Sequence, residues 1–279
     1  LMEKSVLTFS HANGNIEGLY TNAGTNSPLV IIINGHNGFY SYGMFPYIQQ
    51  QLSQEGISSF SFNFSHGGVQ GDRDYFQELD KYEKNCMRLE LEDSVCAIQN
   101  LSAQNIYQHE NIFILAHSLG GVPAVFAALL SQKNHISLSG MVLLSTVKKL
   151  NFWPDEMIEE WKENKIFYKK NNRTNQLLPQ GYEFLHEVLS ADDNWNLEEA
   201  LQSLKIPVLL IHGDNDEAIP AEHSEAKYSW IKAGNEGASL KIIPGGTHTF
   251  NTRHPFAGTS PQLENVLKET AKFILNNSR

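Results

Sequence analysis

Three residues of this chain have the types and the order that acyl transfer through a serine needs: Ser118, Asp216 and His248. A serine hydroxyl is a poor nucleophile at neutral pH. It needs a general base within hydrogen-bond reach, and the base needs an orienting acid. Ser118 lies in Ala116-His117-Ser118-Leu119-Gly120-Gly121, after the apolar run 112–115 and before the apolar stretch 122–130. Strand, tight turn and helix in that order push a serine out of the backbone at the top of a sheet. The residues two before and two after it must then be small, and Ala116 and Gly120 are. The usual form has Gly first, so Ala116 departs from it by one methyl group, which the turn is expected to tolerate. Small-x-Ser-x-Gly is common by chance, and its place between a strand and a helix gives it weight.

Among the eleven histidines, His248 follows the last expected strand by a short Gly-Gly-Thr loop, which can bring an imidazole over the sheet. Two acids, Asp214 and Asp216, follow the strand at 207–211. Asp216, further along in His-Gly-x-x-Asp-x-x-x-Pro, is the favoured partner, and Asp214 is read as a turn cap. His117 and His212 adjoin the site and are expected to support it through hydrogen bonds. Acyl transfer also needs donors for the oxyanion. The backbone N–H of Leu119 would supply one. The other is expected from the turn Asn34-Gly35-His36-Asn37-Gly38, from the N–H of His36. The His36 side chain then either lines the pocket or faces solvent. His66 is read as an ordinary loop residue.

The elements that must position these groups alternate along the chain. Residues 5–11 and 15–20 read as strands around an Asn13-Gly14 hairpin turn. The β-branched run 29–33 is the mark of a strand buried on both faces. A helix is expected over 42–54, a strand over 57–65 and one long helix over 79–101, with apolar positions stepping by three or four. Cys86 and Cys96 would both lie in that helix, about 15 Å apart along its axis, too far to bridge. After a strand at 139–146 the rhythm breaks. Residues 150–204 read as helix 154–164, a hairpin turning at 171–173, and helices 182–189 and 197–204. The β-α rhythm resumes with strand 207–211, helix 221–231, strand 239–243 and helix 261–275. The expected organisation is thus one α/β core over 1–149 and 205–279, with an inserted helical and hairpin cap at 150–204. The cap aromatics Phe152, Trp153, Trp161, Phe167 and Tyr168 would shape an apolar substrate pocket or pack the cap onto the sheet.

Composition bounds the partners. A formal net charge of −10 argues against unaided binding to nucleic acid or anionic membrane. No apolar run is long enough to span a bilayer, so no stable membrane anchor is expected. Leu1-Met2-Glu3-Lys4 lacks the charged-then-apolar layout of a secretion signal, and with two unbridged cysteines a cytoplasmic location is expected. There is no His-Glu-x-x-His, no Cys-x-x-Cys and no paired His at metal spacing, so no metal is expected. Neither Gly-x-Gly-x-x-Gly nor a Walker-type loop is present, and no cofactor is expected.

With these positions set, the chain resembles the α/β-hydrolase superfamily over nearly its whole length. The resemblance rests on Asn34-Gly35-His36, the Ser118 turn, His212-Gly213-Asp214-Asn215-Asp216 and Gly245-Gly246-Thr247-His248-Thr249-Phe250. Phe62-Asn63-Phe64-Ser65-His66-Gly67, the closing Gly-Gly-Thr-His-Thr-Phe and a short cap hairpin are most similar to the feruloyl/cinnamoyl-esterase and dienelactone-hydrolase-like groups. The chain departs from them at Asn34, often His in those groups, and at His36, often aromatic or aliphatic. The resemblance implies an α/β fold with a mostly parallel central sheet, helices on both faces and an inserted cap. It implies a serine hydrolase of small-molecule carboxylic esters, with Ser118, Asp216 and His248 as the triad. Thioesters, lipids and peptides are alternative substrates, and a hydrolase-like binding protein with an idle triad is the alternative of another class.

Overall fold

The computed structural model describes residues 3–103 and 109–278. Leu1 and Met2, read above for a secretion signal, lie outside the described residues. Strands β1 (Glu3–His11) and β2 (Gly14–Asn22) form an antiparallel hairpin. The chain continues through β3 (Leu29–Ile33), α1 (Phe45–Gln54), β4 (Ser58–Asn63), α2 (Leu79–Lys84), α3 (Met87–Ala103), β5 (Ile112–His117), α4 (Gly121–Lys133) and β6 (Gly140–Leu144). Between β6 and the next strand of the main sheet lie α5 (Asp155–Asn164), the hairpin β7 (Ile166–Asn171) and β8 (Gln176–Gly181), α6 (Tyr182–Leu189), α7 (Ala191–Asn194) and α8 (Leu197–Ser203). The chain closes with β9 (Val208–Gly213), α9 (Glu222–Lys232), β10 (Ala238–Ile243) and α10 (Pro261–Asn276).

Eight strands form one sheet in the order β1-β2-β4-β3-β5-β6-β9-β10, with β7 and β8 paired separately. From β4 to β10 the pairing is parallel, and β2 joins β4 antiparallel. The continuous apolar runs are divided between two cores by the two-residue period of a strand. Val30 and Ile32, Phe113 and Leu115, Val142 and Leu144, and Leu209 and Ile211 face α1 and α10. Their alternates Ile31, Ile114, Leu143 and Leu210 face α3 and α4. Each fully buried aliphatic side chain contributes about 1.5–3 kcal/mol. The central strands are therefore the rigid base, and the loops at their carboxyl ends carry the polar groups.

Two local expectations are corrected. The β1–β2 register pairs His11 with Gly14, so the turn is Ala12-Asn13, and Asn13 does not adopt the positive φ of an Asn-Gly primed turn. Gly14 answers a different demand, since a Cβ there would lie 2.6 Å from the Ser65 Cβ. The helix expected over 79–101 is two helices. Asn85 between them is extended, with φ −60° and ψ 142°, and its amide donates to Glu90 Oε1 at 2.8 Å. Glu187 of α6 accepts the N–H groups of Met87 and, at 3.0 Å, Arg88, capping α3 from 100 residues away. An apolar period can run through such a break unaltered, because the partner that makes the break is not local. Cys86 thus lies between the helices rather than in one with Cys96; both are free and buried. No helix among the described residues is long and apolar enough to cross a membrane.

Candidate active site

Ser118 stands between β5 and α4 with φ +56°, the left-handed conformation that a non-glycine residue adopts only when its surroundings impose it. The surroundings here are the backbone of Asn34 and the side chain of Thr146. A Cβ on Gly120 would lie 2.3 Å from the Asn34 carbonyl oxygen, and one on Gly121 would lie 2.7 Å from the Thr146 Cβ. The Ala116 methyl is buried in the core, and the turn holds with it in place.

The loops after β9 and β10 are pressed together in the same way. A Cβ on Gly213 would lie 2.0 Å from the Gly246 carbonyl oxygen. Asn215 N–H donates to that oxygen at 2.9 Å, and Asp214 Oδ1 accepts the Gly245 N–H at 2.7 Å. Asp214 thus ties the two loops and leaves Asp216 to meet His248. The far side of the His248 loop is held by Ser260, the N-cap of α10. Its hydroxyl donates to the Phe250 carbonyl at 2.5 Å and accepts the Leu263 N–H at 2.9 Å.

The result is a continuous chain of hydrogen bonds. His248 Nδ1 lies 2.8 Å from Asp216 Oδ2, and His248 Nε2 lies 2.9 Å from Ser118 Oγ. Burial alone would raise the Asp216 carboxyl. Hydrogen bonds from His212, His248 and the Ile219 N–H outweigh it and hold the group well below the usual carboxylate range. Its other oxygen accepts the N–H groups of Ala218 (3.0 Å) and Ile219 (2.9 Å). An ionised carboxylate only accepts, so Nδ1 of His248 carries the proton and Nε2 faces the Ser118 hydroxyl as an acceptor.

Two further imidazoles support this arrangement. His212 Nε2 donates to the Ile219 carbonyl at 2.7 Å and lies 3.2 Å from Asp216 Oδ2, while its Nδ1 meets Ser224 Oγ at 2.7 Å. His117 Nε2 donates to the His248 carbonyl at 2.9 Å, and the two rings lie 4.8 Å apart. Burial, with the neighbouring His248 adding to it, pushes His117 down to about 3, so it stays neutral beside the His248 ring.

The Asn34–Gly38 turn abuts the serine. A Cβ on Gly35 would lie 2.9 Å from the Ser118 Cβ and 3.5 Å from the Leu119 nitrogen. The backbone N–H groups of His36 and Leu119 meet no protein acceptor among the described residues. Asn34 is fully buried, and its amide donates to the Phe62 carbonyl at 2.7 Å. The His36 ring points into aromatic company, 5.8 Å from Phe184, 6.3 Å from Trp153 and 6.4 Å from Tyr82. Burial, with Lys169 adding to it, pushes its pKa down to about 4. Among the described residues no group of three or more His, Cys, Asp or Glu is placed to hold a metal ion.

The sequence profile of the prolyl oligopeptidase family matches residues 45–277. The chain belongs to that family. A curated relative, the uncharacterized protein YfhR of Escherichia coli O157:H7, is 28% identical over 168 residues, 59% of this chain and 48% of that protein. The chain thus spans about half the length of this relative. The solved structure of Est1E from Butyrivibrio proteoclasticus with ferulic acid bound matches with a TM-score of 0.71 at 19% identity, covering 97% of this chain and 98% of that one. Dienelactone hydrolase from Anabaena variabilis matches with a TM-score of 0.67 at 15% identity, covering 100% and 99%. At these identities the likeness is one of fold, and the fold is that of the α/β hydrolases, as the motifs imply.

Within this member of the prolyl oligopeptidase family, the structure gathers some of the expected aromatics and separates others. The rings of Phe152 and Trp153 lie 4.4 Å apart at a tilt of 33°, and Trp153 meets both Trp161 and Phe184. Trp161 is fully buried and packs behind that cluster, with Phe167 at 6.2 Å. Tyr168 does not join it. It is 57% exposed, because neighbours on a strand point to opposite faces and Phe167 takes the inner one. The His66 ring bonds to its neighbour Ser65, with Nδ1 2.9 Å from Ser65 Oγ, and to no other side chain among the described residues.

Three participants were not visible in the motifs. Phe184 and Tyr82 come from helices remote in sequence, and no spacing rule links them to His36. Lys227 of α9 is fully buried without a carboxylate partner among the described residues and donates to Thr146 at the end of β6. Burial pushes its pKa well below the usual lysine range. A lysine on an otherwise amphipathic helix reads as exposed unless its acceptor is known.

Proposed function

We propose that this protein is a serine hydrolase of small-molecule carboxylic esters. The observation that carries the reading is the chain Ser118 Oγ–His248 Nε2–His248 Nδ1–Asp216, at 2.9 and 2.8 Å, built on a serine with positive φ. Ser118 attacks the ester carbonyl while His248 takes its proton. Asp216 holds the imidazole in the tautomer that can accept it and stabilises the imidazolium. The N–H groups of His36 and Leu119 receive the oxyanion. His248 then returns the proton to the leaving alcohol, and an acyl-enzyme remains on Ser118. Water attacks that ester with His248 again as base, which restores the serine and frees the acid. Segment 150–204 serves as the cap, and Trp153, Phe152 and Phe184 beside His36 form the apolar wall for the substrate. The fold-level likeness to a protein with ferulic acid bound supports an ester with a bulky, flat acyl group.

Family membership supports a second reading, in which the same groups cleave peptide bonds. Matched pairs of aryl esters and amides of one acid separate the two. Turnover of the ester with a pre-steady-state burst of alcohol, and little turnover of the amide, supports the esterase. Faster cleavage of an X-Pro-type peptide than of any ester replaces it. Burial pushes His36 down to about 4 and His117 to about 3, so neither is expected to contribute a limb to the pH–rate profile above about pH 5.

A further inference from the structure

The oxyanion turn is fixed on its inner side by packing. Gly38 N–H donates to the Gly35 carbonyl at 3.0 Å, and a Cβ on Gly38 would meet the Asn34 side chain at 3.0 Å. On its outer side it is fixed by one residue of α2. The Tyr82 hydroxyl donates to Asn37 Oδ1 at 2.5 Å, and the Tyr82 ring stands 6.4 Å from that of His36. Tyr82 therefore touches both residues that follow Gly35, and the peptide between Gly35 and His36 carries the N–H aimed at the oxyanion. Asn37 itself has φ +61°, the left-handed conformation that asparagine adopts more readily than most residues.

Gln180 of β8 completes the arrangement. Its Oε1 lies 3.4 Å from the Tyr82 hydroxyl, while its Nε2 is buried with no partner among the described residues. A phenol has a single hydrogen, which Asn37 already receives. Turning the Gln180 amide over places an N–H against the phenol oxygen, so that Nε2 gains an acceptor and the phenol a donor. The bonds then run from Gln180 to Tyr82 to Asn37, from the hairpin of segment 150–204 to the turn beside Ser118. Phe76, Phe39 and Leu178 around Tyr82 are all apolar, so packing alone would be served by phenylalanine. A buried hydroxyl costs stability unless it is bonded, and its one short bond goes to the oxyanion turn.

We infer that Tyr82 is the positioning residue of the oxyanion turn, setting the His36 N–H against Ser118 through its bond to Asn37, with Gln180 seating the hairpin on the same hydroxyl. The inference rests on the esterase reading of the site. Burial, with the Glu90 charge adding to it, raises the Tyr82 phenol well above its ordinary range, so it remains a donor across the working pH.

The test compares wild type, Tyr82→Phe, Asn37→Gly and the double variant on an aryl ester, with a boronic acid as oxyanion mimic and the product carboxylate as ground-state probe. Removing an oxyanion donor outright costs about 10²–10³-fold in kcat. A donor kept but loosened should cost less, about tenfold in kcat with KM within about threefold. Boronate affinity should fall by the same factor as kcat, while carboxylate affinity and melting temperature hardly move. Asn37→Gly suits the positive φ and removes the acceptor with the rest of the carboxamide, so its loss of kcat should be at least that of Tyr82→Phe. The double variant should be no worse than Asn37→Gly alone, because both break one bond. Gln180→Leu should show a smaller loss in the same direction. An unaltered kcat in folded Tyr82→Phe or Asn37→Gly, or losses that add in the double variant, overturns the inference while leaving the esterase reading intact. A wild type that turns over no ester and binds no boronate overturns both.

Discussion

The side of the site that carries Asp216 and His248 and the side that carries His36 are held by different forces. On the first, backbone meets backbone at Gly213 and Gly246, and each polar side chain has a hydrogen-bond partner: Asp214 with Gly245, Asp216 with four donors, His117 with the His248 carbonyl. On the second, Trp153, Phe184 and Tyr82 surround an imidazole, and the contacts are ring against ring. The hydrogen-bonded side has directional contacts with one geometry. The aromatic side gives area and shape and tolerates repacking. Chemistry should therefore fail when the first side is disturbed, and selectivity should shift when the second is.

The largest expected effect comes from Asp216→Asn. An amide in place of the carboxylate leaves the packing intact but favours the wrong tautomer of His248, and kcat should fall by about 10⁴-fold with the melting temperature nearly unchanged. A loss under about tenfold would mean that His248 is oriented from elsewhere. Gly213→Ala attacks the same side through the backbone. Its methyl has no room at 2.0 Å from the Gly246 oxygen, so the two loops must part. Stability should fall by about 1–3 kcal/mol, read by thermal melts, together with most of the activity.

Trp153→Ala probes the aromatic side. It should raise KM for esters of bulky aromatic acids by about tenfold and leave acetate esters within about threefold, since pocket contacts of this kind discriminate by about 1–3 kcal/mol. Equal losses on both substrates would show that the aromatic side serves the chemistry as well.

The smallest effect concerns what lies behind that side. Burial raises the Glu90 carboxyl to about 8. Between its unfolded pKa and that value the folded chain keeps a proton that the unfolded chain has released, so stability falls as pH climbs through this window. Glu90→Gln keeps the acceptor for Asn85 and removes the titration. Its melting temperature should fall less than that of wild type from about pH 5 to 8, with activity little altered. Parallel pH dependences would place the titrating group elsewhere.

The same contrast explains what could be read from the sequence. Ser118, Asp216 and His248 follow strands whose β-branched and apolar runs are unmistakable, and glycines at 120, 213 and 246 mark the close approaches. The mostly parallel sheet and the resemblance to the α/β hydrolases follow from those motifs and are met by the structure, while the order of its strands is not legible in them. The break at Asn85 was not legible, because the cap for α3 comes from Glu187. Nor were the roles of Phe184 and Tyr82, which depend on how segment 150–204 and α2 fold back over the Asn34–Gly38 turn. Residue type alone suggests Tyr168 for the pocket, and strand alternation turns it outward. Local patterning reveals a site made of loops next to strands; it is silent where two remote segments meet.

The central claim is that Ser118 is an activated nucleophile, and intact-mass spectrometry after exposure to a fluorophosphonate tests it most directly. The account predicts a single covalent adduct on the wild type and none on Ser118→Ala. An unmodified wild type, or an adduct that persists in Ser118→Ala, would contradict it.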